Sequence, residues 1–215
     1  MSAVASFYLL PKDKCEEYCR MAHLGPASSM PRPKERQYVH FAGSISASEA
    51  HKYFESDEYK QSNESKCWTF LEKNSKHPFE YKWGGYILLD VFRYLKEKKR
   101  IDLEKNSLVD VAWQEQWIIL DKALKDKYFT DLDPARFKES ELLFYYVTYY
   151  EHQLDLKLKR SVSTYSPEQL KGMMAKSKKY AAFPDAGRAM LDGIVIIYNY
   201  LKLIDDKSLV LLTIG

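Results

Sequence analysis

Several features that would assign a function are scarce in this 215-residue sequence. Lysine and arginine (33) nearly balance aspartate and glutamate (30), so the formal net charge is only +3. A nucleic-acid binder needs a concentrated basic surface to displace counterions from phosphates, so we expect no nucleic-acid partner. No apolar run approaches the roughly 20 residues that cross a bilayer, so we expect no membrane association. The N-terminal apolar run has no basic segment before it, unlike that of a signal peptide.

Cysteine is also rare, with only Cys15, Cys19 and Cys67. An odd number without a disulfide framework is typical of a reducing compartment, and we predict a cytoplasmic protein. Cys15 and Cys19 lie four residues apart, but a zinc site needs a second matching pair. We therefore expect buried free thiols and no metal. Gly84-Gly85 belongs to neither phosphate-binding glycine motif, so no cofactor is predicted.

The sequence contains no motif that specifies a reaction. None of the five histidines lies in an HExxH or nucleophile pattern. His40 lies in a predicted strand and is either a packing residue or a catalytic one. A hydrolase-type enzyme that uses His40 and a helical carboxylate is the alternative function. A buried carboxylate is costly unless it is paired, so an ion pair such as Asp90 with Arg93 is the competing interpretation. The candidate carboxylates are Asp90, Asp110, Glu115 and Asp121.

The apolar pattern predicts a mainly helical α+β fold. Apolar runs predict strands over residues 3–10, 37–42 and 208–214. A terminal strand needs a neighbour, so we expect a small sheet that joins the N- and C-terminal strands and is covered by helices. Residues 25–33, 55–63 and 75–82 are interpreted as loops or connections. Helices are predicted over residues 12–24, 46–54, 64–74, 83–100, 107–124, 133–150, 154–159, 166–177 and 186–203.

Four segments resemble a family of small bacterial proteins of unknown function typified by YfbM. These segments are SFYLLP at the start, KCWTFL (66–71), FEYKWGGY (79–86) and SLVLLTIG at the end. The resemblance covers about the first hundred residues and the last ten. Residues 104–186 have no counterpart, and we interpret them as a helical insertion within a single domain, 1–215. The family implies no activity, but some proteins of this kind are suspected immunity proteins of bacterial toxin systems.

Aromatic residues are abundant, with 17 Tyr, 10 Phe and 4 Trp. Residues 144–150 (FYYVTYY) place aromatic side chains on every side of a predicted helix, so they either pack a second layer or form a contact surface. Tyrosine and tryptophan are enriched at interfaces. The leading hypothesis is a protein-binding module, such as a toxin-neutralising immunity protein, whose oligomeric state the sequence leaves open. The candidate binding residues are His40, Trp83, Tyr86, Tyr145 and Tyr149.

Overall fold

The computed structural model describes residues 4–22, 24–26, 55–81, 84–98, 107–110, 116–150, 166–175 and 185–214. These residues divide into two compact units. The first comprises residues 1–82, 104–122 and 203–215, and the second comprises residues 83–103 and 123–202. The single-domain organisation stays a prediction. Residues 104–122 belong to the first unit and contain strands, and the interpretation of 104–186 as a helical insertion also stays a prediction.

The first unit contains one sheet whose described strands follow the order β2-β4-β5-β6-β1-β3. The two chain ends pair antiparallel in its centre, with Ala5 opposite Ile214 and Pro11 opposite Ser208. This pairing confirms the predicted sheet. The strands are β1 (Ala5–Pro11), β2 (Leu24–Pro26), β3 (Lys76–Tyr81), β4 (Ser107–Asp110), β5 (Gln116–Leu120) and β6 (Ser208–Ile214).

Helices account for more of the described chain than strands do, as predicted for a mainly helical α+β fold. Three of the described helices lie in the first unit: α1 (Lys12–Met21), α2 (Asp57–Gln61) and α3 (Asn63–Asn74). The remaining helices are α4 (Gly85–Glu97), α5 (Lys122–Tyr128), α6 (Glu139–Tyr150), α7 (Pro167–Ala175) and α8 (Ala186–Leu203).

One face of the sheet is covered by α1 and α3. The cluster consists of Tyr8, Leu10, Trp117, Leu209 and Leu211 from the strands, and Cys15, Tyr18, Ala22, Cys67 and Leu71 from the helices. The side chains that alternate with them on β1, β5 and β6, such as Phe7, Ile118 and Val210, are also buried. Burial on both faces explains why the terminal strands are continuous apolar runs without an alternating pattern.

In the second unit, two helices approach closely through a glycine. A Cβ atom placed on Gly187 of α8 would lie 2.5 Å from the Glu139 carbonyl oxygen and 2.6 Å from the Leu143 Cβ, both on α6. Only a residue without a side chain allows this separation. Lys171 of α7 adds ion pairs to Glu139 and Asp185, each at 3.4 Å.

Three predicted segments differ from the structure. Residues 55–63 contain α2, which is capped by Ser56 and followed at once by α3, which is capped by Ser62. The predicted connection over 75–82 contains β3 (Lys76–Tyr81), which lies at the edge of the sheet among the described strands. Its side chains are nearly all exposed, so it lacks an apolar pattern. The helix predicted over 107–124 is wrong, because β4 and β5 pair with each other and α5 begins only at Lys122. Ile118 and Trp117 suit a strand buried on both faces.

The helix predicted from Asp133 begins as expected but is interrupted. The Asp133 carboxylate accepts a hydrogen bond from the Ala135 N–H (3.0 Å) and caps a 3₁₀ turn, Pro134–Arg136. Phe137 is then extended (φ −117°, ψ 141°) and buried, so α6 starts after it. The predictions for residues 37–42, 46–54 and 154–159, and most of those for 25–33, lie outside the described residues.

Candidate functional site

The described candidate tyrosines all belong to the second, helical unit. Tyr86 lies on α4, while Tyr145 and Tyr149 lie on α6. Tyr86 and Tyr149 are among the most exposed large apolar side chains described, at 52% and 40%. His40 and Trp83 lie outside the described residues. The structure therefore brings together two of the five candidates, Tyr145 and Tyr149, and places a third on a helix beside them.

The apolar and aromatic side chains of α6 differ in burial from one side of the helix to the other. Leu142, Leu143 and Val147 are fully buried and Tyr146 nearly so, which accounts for the packing side of the helix. Tyr145 is half-buried and Tyr149, one turn later, is exposed. The packing interpretation of residues 144–150 therefore holds for the buried side of the helix, and the contact-surface interpretation stays a prediction for the other side.

A continuous stack links α4 to α6. The Arg93 guanidinium carbon lies 4.2 Å from the centre of the Tyr149 ring. The Tyr149 and Tyr145 rings stack with centroids 6.2 Å apart and planes 24° apart. Tyr145 in turn meets Tyr94 edge to face, with centroids 5.0 Å apart. Cation–π and edge-to-face contacts of this kind fix ring orientations as well as adding stability.

Arg93 is held in place by an ion pair. Its Nη1 atom donates to the Asp90 carboxylate three residues earlier on α4. The Asp90 side chain is only 5% exposed, so an unpaired charge there would be costly. The pairing of Asp90 with Arg93 expected from the sequence is confirmed. This ion pair restrains the position of the Arg93 guanidinium.

A small cavity of about 290 Å³ opens beside the stack. This volume is just below the roughly 300 Å³ at which small-molecule pockets usually begin. The cavity therefore suits one inserted side chain better than a whole cofactor. Its walls combine aromatic surface with one cation and one carboxylate, and they are formed by Tyr94, Lys98, Glu141, Phe144, Tyr145 and Thr148.

The Tyr145 hydroxyl is a polar group in this aromatic region. The hydroxyl oxygen is buried, and Glu97 lies close to it. Burial raises the pKa of Tyr145, and the nearby Glu97 carboxylate raises it further. Tyr145 therefore stays protonated at neutral pH and keeps a hydrogen to donate.

Tyr86 extends the same side of α4. It precedes Arg93 by seven residues, which is two helical turns, so the two lie on one helix face about 10.5 Å apart. We use the name Tyr149 face for Tyr86, Arg93, Tyr145 and Tyr149 together with the cavity beside them. Arg93 was recognised in the sequence only as a partner of Asp90. Its stacking on Tyr149 joins residues far apart in the chain and has no local sequence signal.

The alternative of a hydrolase-type enzyme that uses His40 and a helical carboxylate stays a prediction. Asp90 is engaged by Arg93, and His40 lies outside the described residues, as do Glu115 and the Asp110 side chain. Within the described ranges, no group of three or more His, Cys, Asp or Glu side chains is placed to hold a metal ion. No described helix combines the length and apolar character that a membrane span requires.

The three cysteines are free thiols. Cys15 and Cys67 are buried, and Cys19 is half-buried one helical turn after Cys15. The hydrogen bond between Cys15 and Cys19 raises the pKa of Cys15, and burial raises it further. The same bond lowers the pKa of Cys19, because the Cys15 thiol donates to the Cys19 sulfur. Cys19 is thus the first of the pair to ionise.

No family model matches this chain, and no curated protein or solved structure is significantly similar to it.

Proposed function

We propose that the protein is a protein-binding module that contacts its partner through the Tyr149 face. The observation that carries this proposal is the exposed Arg93–Tyr149–Tyr145 stack beside a cavity of side-chain size. Arginine and tyrosine are the residue types that most often dominate binding energy at interfaces. Here their side chains are already ordered, so binding would cost less conformational entropy than ordering free ones.

The shape of the face indicates what the partner presents. One apolar or aromatic side chain of the partner fills the cavity, and its neighbouring backbone lies across Tyr149 and Arg93. Lys98 and Glu141 at the cavity wall favour a polar rim around that side chain. A toxin-neutralising role is the specific form of this proposal, and it rests on the resemblance of four segments to a family of small bacterial proteins.

Site-specific photo-crosslinking tests the proposal in the native host. A photoreactive phenylalanine replaces Tyr149 in one strain and Leu203 in a matched strain, because Leu203 is similarly exposed (44%) but is not part of the Tyr149 face. We expect one dominant protein adduct from position 149 that position 203 does not give. Equal adducts from both positions, no adduct from position 149, or a crosslink only to a second copy of this chain would contradict it.

A further inference from the structure

The first unit contains an open groove that is separate from the Tyr149 face. It has a volume of about 520 Å³ and is lined by residues of α1, α2 and α3. Four of the lining residues are lysines and only one is acidic. We use the name Lys66 groove for this feature, whose charged residues are Lys14, Lys60, Lys66, Lys73 and Glu17.

Helix geometry brings these charges to one place. Lys66 and Lys73 are seven residues apart on α3, so they lie on the same helix face about 10.5 Å from each other. Lys14 and Glu17 lie one turn apart on α1. Lys60 comes from α2, which ends at Ser62, and the Ser62 hydroxyl accepts a hydrogen bond from the Ser65 N–H (3.1 Å) at the start of α3. This cap positions α2 against the groove.

The positive charge of the groove is only partly balanced. Lys14 pairs with Glu17 at 2.7 Å, and this contact raises the pKa of Lys14. Lys60 is 3.9 Å from Asp57, a pair too exposed to hold the two charges together strongly. Lys66 and Lys73 have no acidic partner within the described part of the chain. Four cations and one carboxylate leave the lining with a net charge of +3.

The remaining lining groups favour charge recognition over stacking. The Phe70 ring already packs on Tyr18, with centroids 6.1 Å apart, and Lys14 lies 5.9 Å from its centre. The Thr69 hydroxyl donates to the Ser65 carbonyl at 2.8 Å, so its hydrogen is already engaged. The ammonium groups are therefore the main donors that face a ligand.

From this arrangement we infer that the Lys66 groove binds a compact polyanion carrying two or more phosphate groups, such as a nucleotide or an inorganic oligophosphate. Lysine ammonium groups act as point charges and are established phosphate binders. The volume lies within the range of about 300–1,000 Å³ for small-molecule sites. An oligophosphate supplies three or more negative charges within that volume, whereas an acidic peptide needs several side chains in register. This inference does not depend on the proposed protein-binding function.

Calorimetric titration of the full chain at low salt tests the inference, with tripolyphosphate and ATP as probes. A double variant, Lys66→Gln with Lys73→Gln, removes the two cations for which the described residues supply no acidic partner. The control is Lys127→Gln with Lys138→Gln, which removes the same charge from exposed positions outside the groove. One charge pair at about 4 Å in water is worth about fivefold in affinity, so the groove variant should bind about 25-fold more weakly. The control should change affinity less than twofold.

The remaining arms separate the ligand classes. Equal affinity for tripolyphosphate and ATP would support recognition of phosphate charge alone, and tighter binding of ATP would support a nucleotide. In both cases affinity should fall steeply when NaCl is raised from 0.05 to 0.5 M, because the added salt screens the ammonium charges. Tighter binding of a Glu-rich peptide or of a single-stranded oligonucleotide would overturn the inference. Two other results would also overturn the inference. One is the absence of binding at millimolar concentrations of either probe. The other is an equal loss of affinity in the groove and control variants, provided that both keep the parent's urea midpoint.

Discussion

The close approach of α8 to α6 gives a sharp test of the packing in the helical unit. Gly187→Ala would place a Cβ atom 2.5 Å from the Glu139 carbonyl oxygen and 2.6 Å from the Leu143 Cβ. Both obstacles belong to or adjoin the backbone of α6, so neither can rotate away. The helices must separate by roughly 1 Å to restore ordinary contact distances of about 3.5 Å.

The expected loss of stability in Gly187→Ala follows from two opposing effects. Forcing an extra carbon into a well-packed contact costs about 1–3 kcal/mol. Alanine in a helix regains up to about 1 kcal/mol over glycine, and less near a helix end such as position 187. The expected net loss is therefore about 2 kcal/mol. Gly172→Ala on α7 is the matched control, because its Cβ would meet nothing within 4 Å. It should stabilise the protein by up to about 1 kcal/mol.

Urea denaturation followed by circular dichroism measures both variants. The free energy of unfolding falls by about 2 kcal/mol per M of urea for a protein of this kind. The urea midpoint should therefore fall by about 1 M for Gly187→Ala and rise by up to about 0.5 M for Gly172→Ala. Gly193→Ala should lie between them, because its Cβ would meet the mobile Leu88 Cδ2 at 3.1 Å. A Gly187→Ala midpoint at or above that of the parent would refute the packing of α8 on α6.

Two further predictions concern ionisable groups. Iodoacetamide should modify Cys19 first, because the hydrogen bond from Cys15 lowers the pKa of Cys19. Cys15→Ala removes this donor and should slow the modification of Cys19 at pH 7. Equal rates in parent and variant by mass spectrometry would contradict this. Hydrogen bonds from the backbone N–H of Lys207 and from Ser208 lower the pKa of Asp205. Because the pKa of Asp205 is lower in the folded protein, Asp205→Asn should lower the urea midpoint at pH 7. The difference in midpoint between parent and variant should disappear as the pH falls from about 3.9, the unfolded value, through the folded value. A difference that is the same at pH 7 and pH 2.5 would exclude a charge effect.

The parts of the fold that were predictable have local causes. The run at residues 208–214 is apolar without a helical period, and the same is true of residues 3–10, so both indicated buried strands that needed a partner. Ser166 and Gln169 form a reciprocal cap, with the Gln169 N–H donating to the serine hydroxyl at 3.2 Å and the Gln169 side-chain oxygen accepting from the Ser166 N–H at 2.7 Å. Such signals lie within four residues and need no knowledge of tertiary structure.

The errors have tertiary causes. Val109, Trp117 and Leu124 fall at spacings that also fit a helix, and only pairing with neighbouring strands decides that residues 107–120 are extended. The edge position of β3 leaves its side chains exposed, so residues 76–81 show no apolar alternation. The periodicity of apolar residues shows which side chains are buried. It therefore does not identify a strand that is held in the sheet mainly by backbone hydrogen bonds.

The candidate site was predictable only in its parts. The spacing of Asp90 and Arg93 on one helix indicated their ion pair, and the tyrosine content of residues 144–150 indicated a contact surface. The stacking of Arg93 on Tyr149 depends on how α4 and α6 pack, which no local pattern encodes. The Lys66 groove was missed for the same reason, because its lysines come from three helices and the net charge of the whole chain is small.

The central claim is that the Tyr149 face carries partner binding, and the affinity of the purified partner measures this most directly. The partner identified by crosslinking is titrated against the parent chain, Tyr149→Ala and the control Leu203→Ala. Loss of an anchoring tyrosine costs about 2 kcal/mol or more, so Tyr149→Ala should raise Kd about 30-fold. Leu203→Ala should leave it within twofold. A Kd that is unchanged by Tyr149→Ala, in a variant that retains the parent's helical content, would contradict the proposed function.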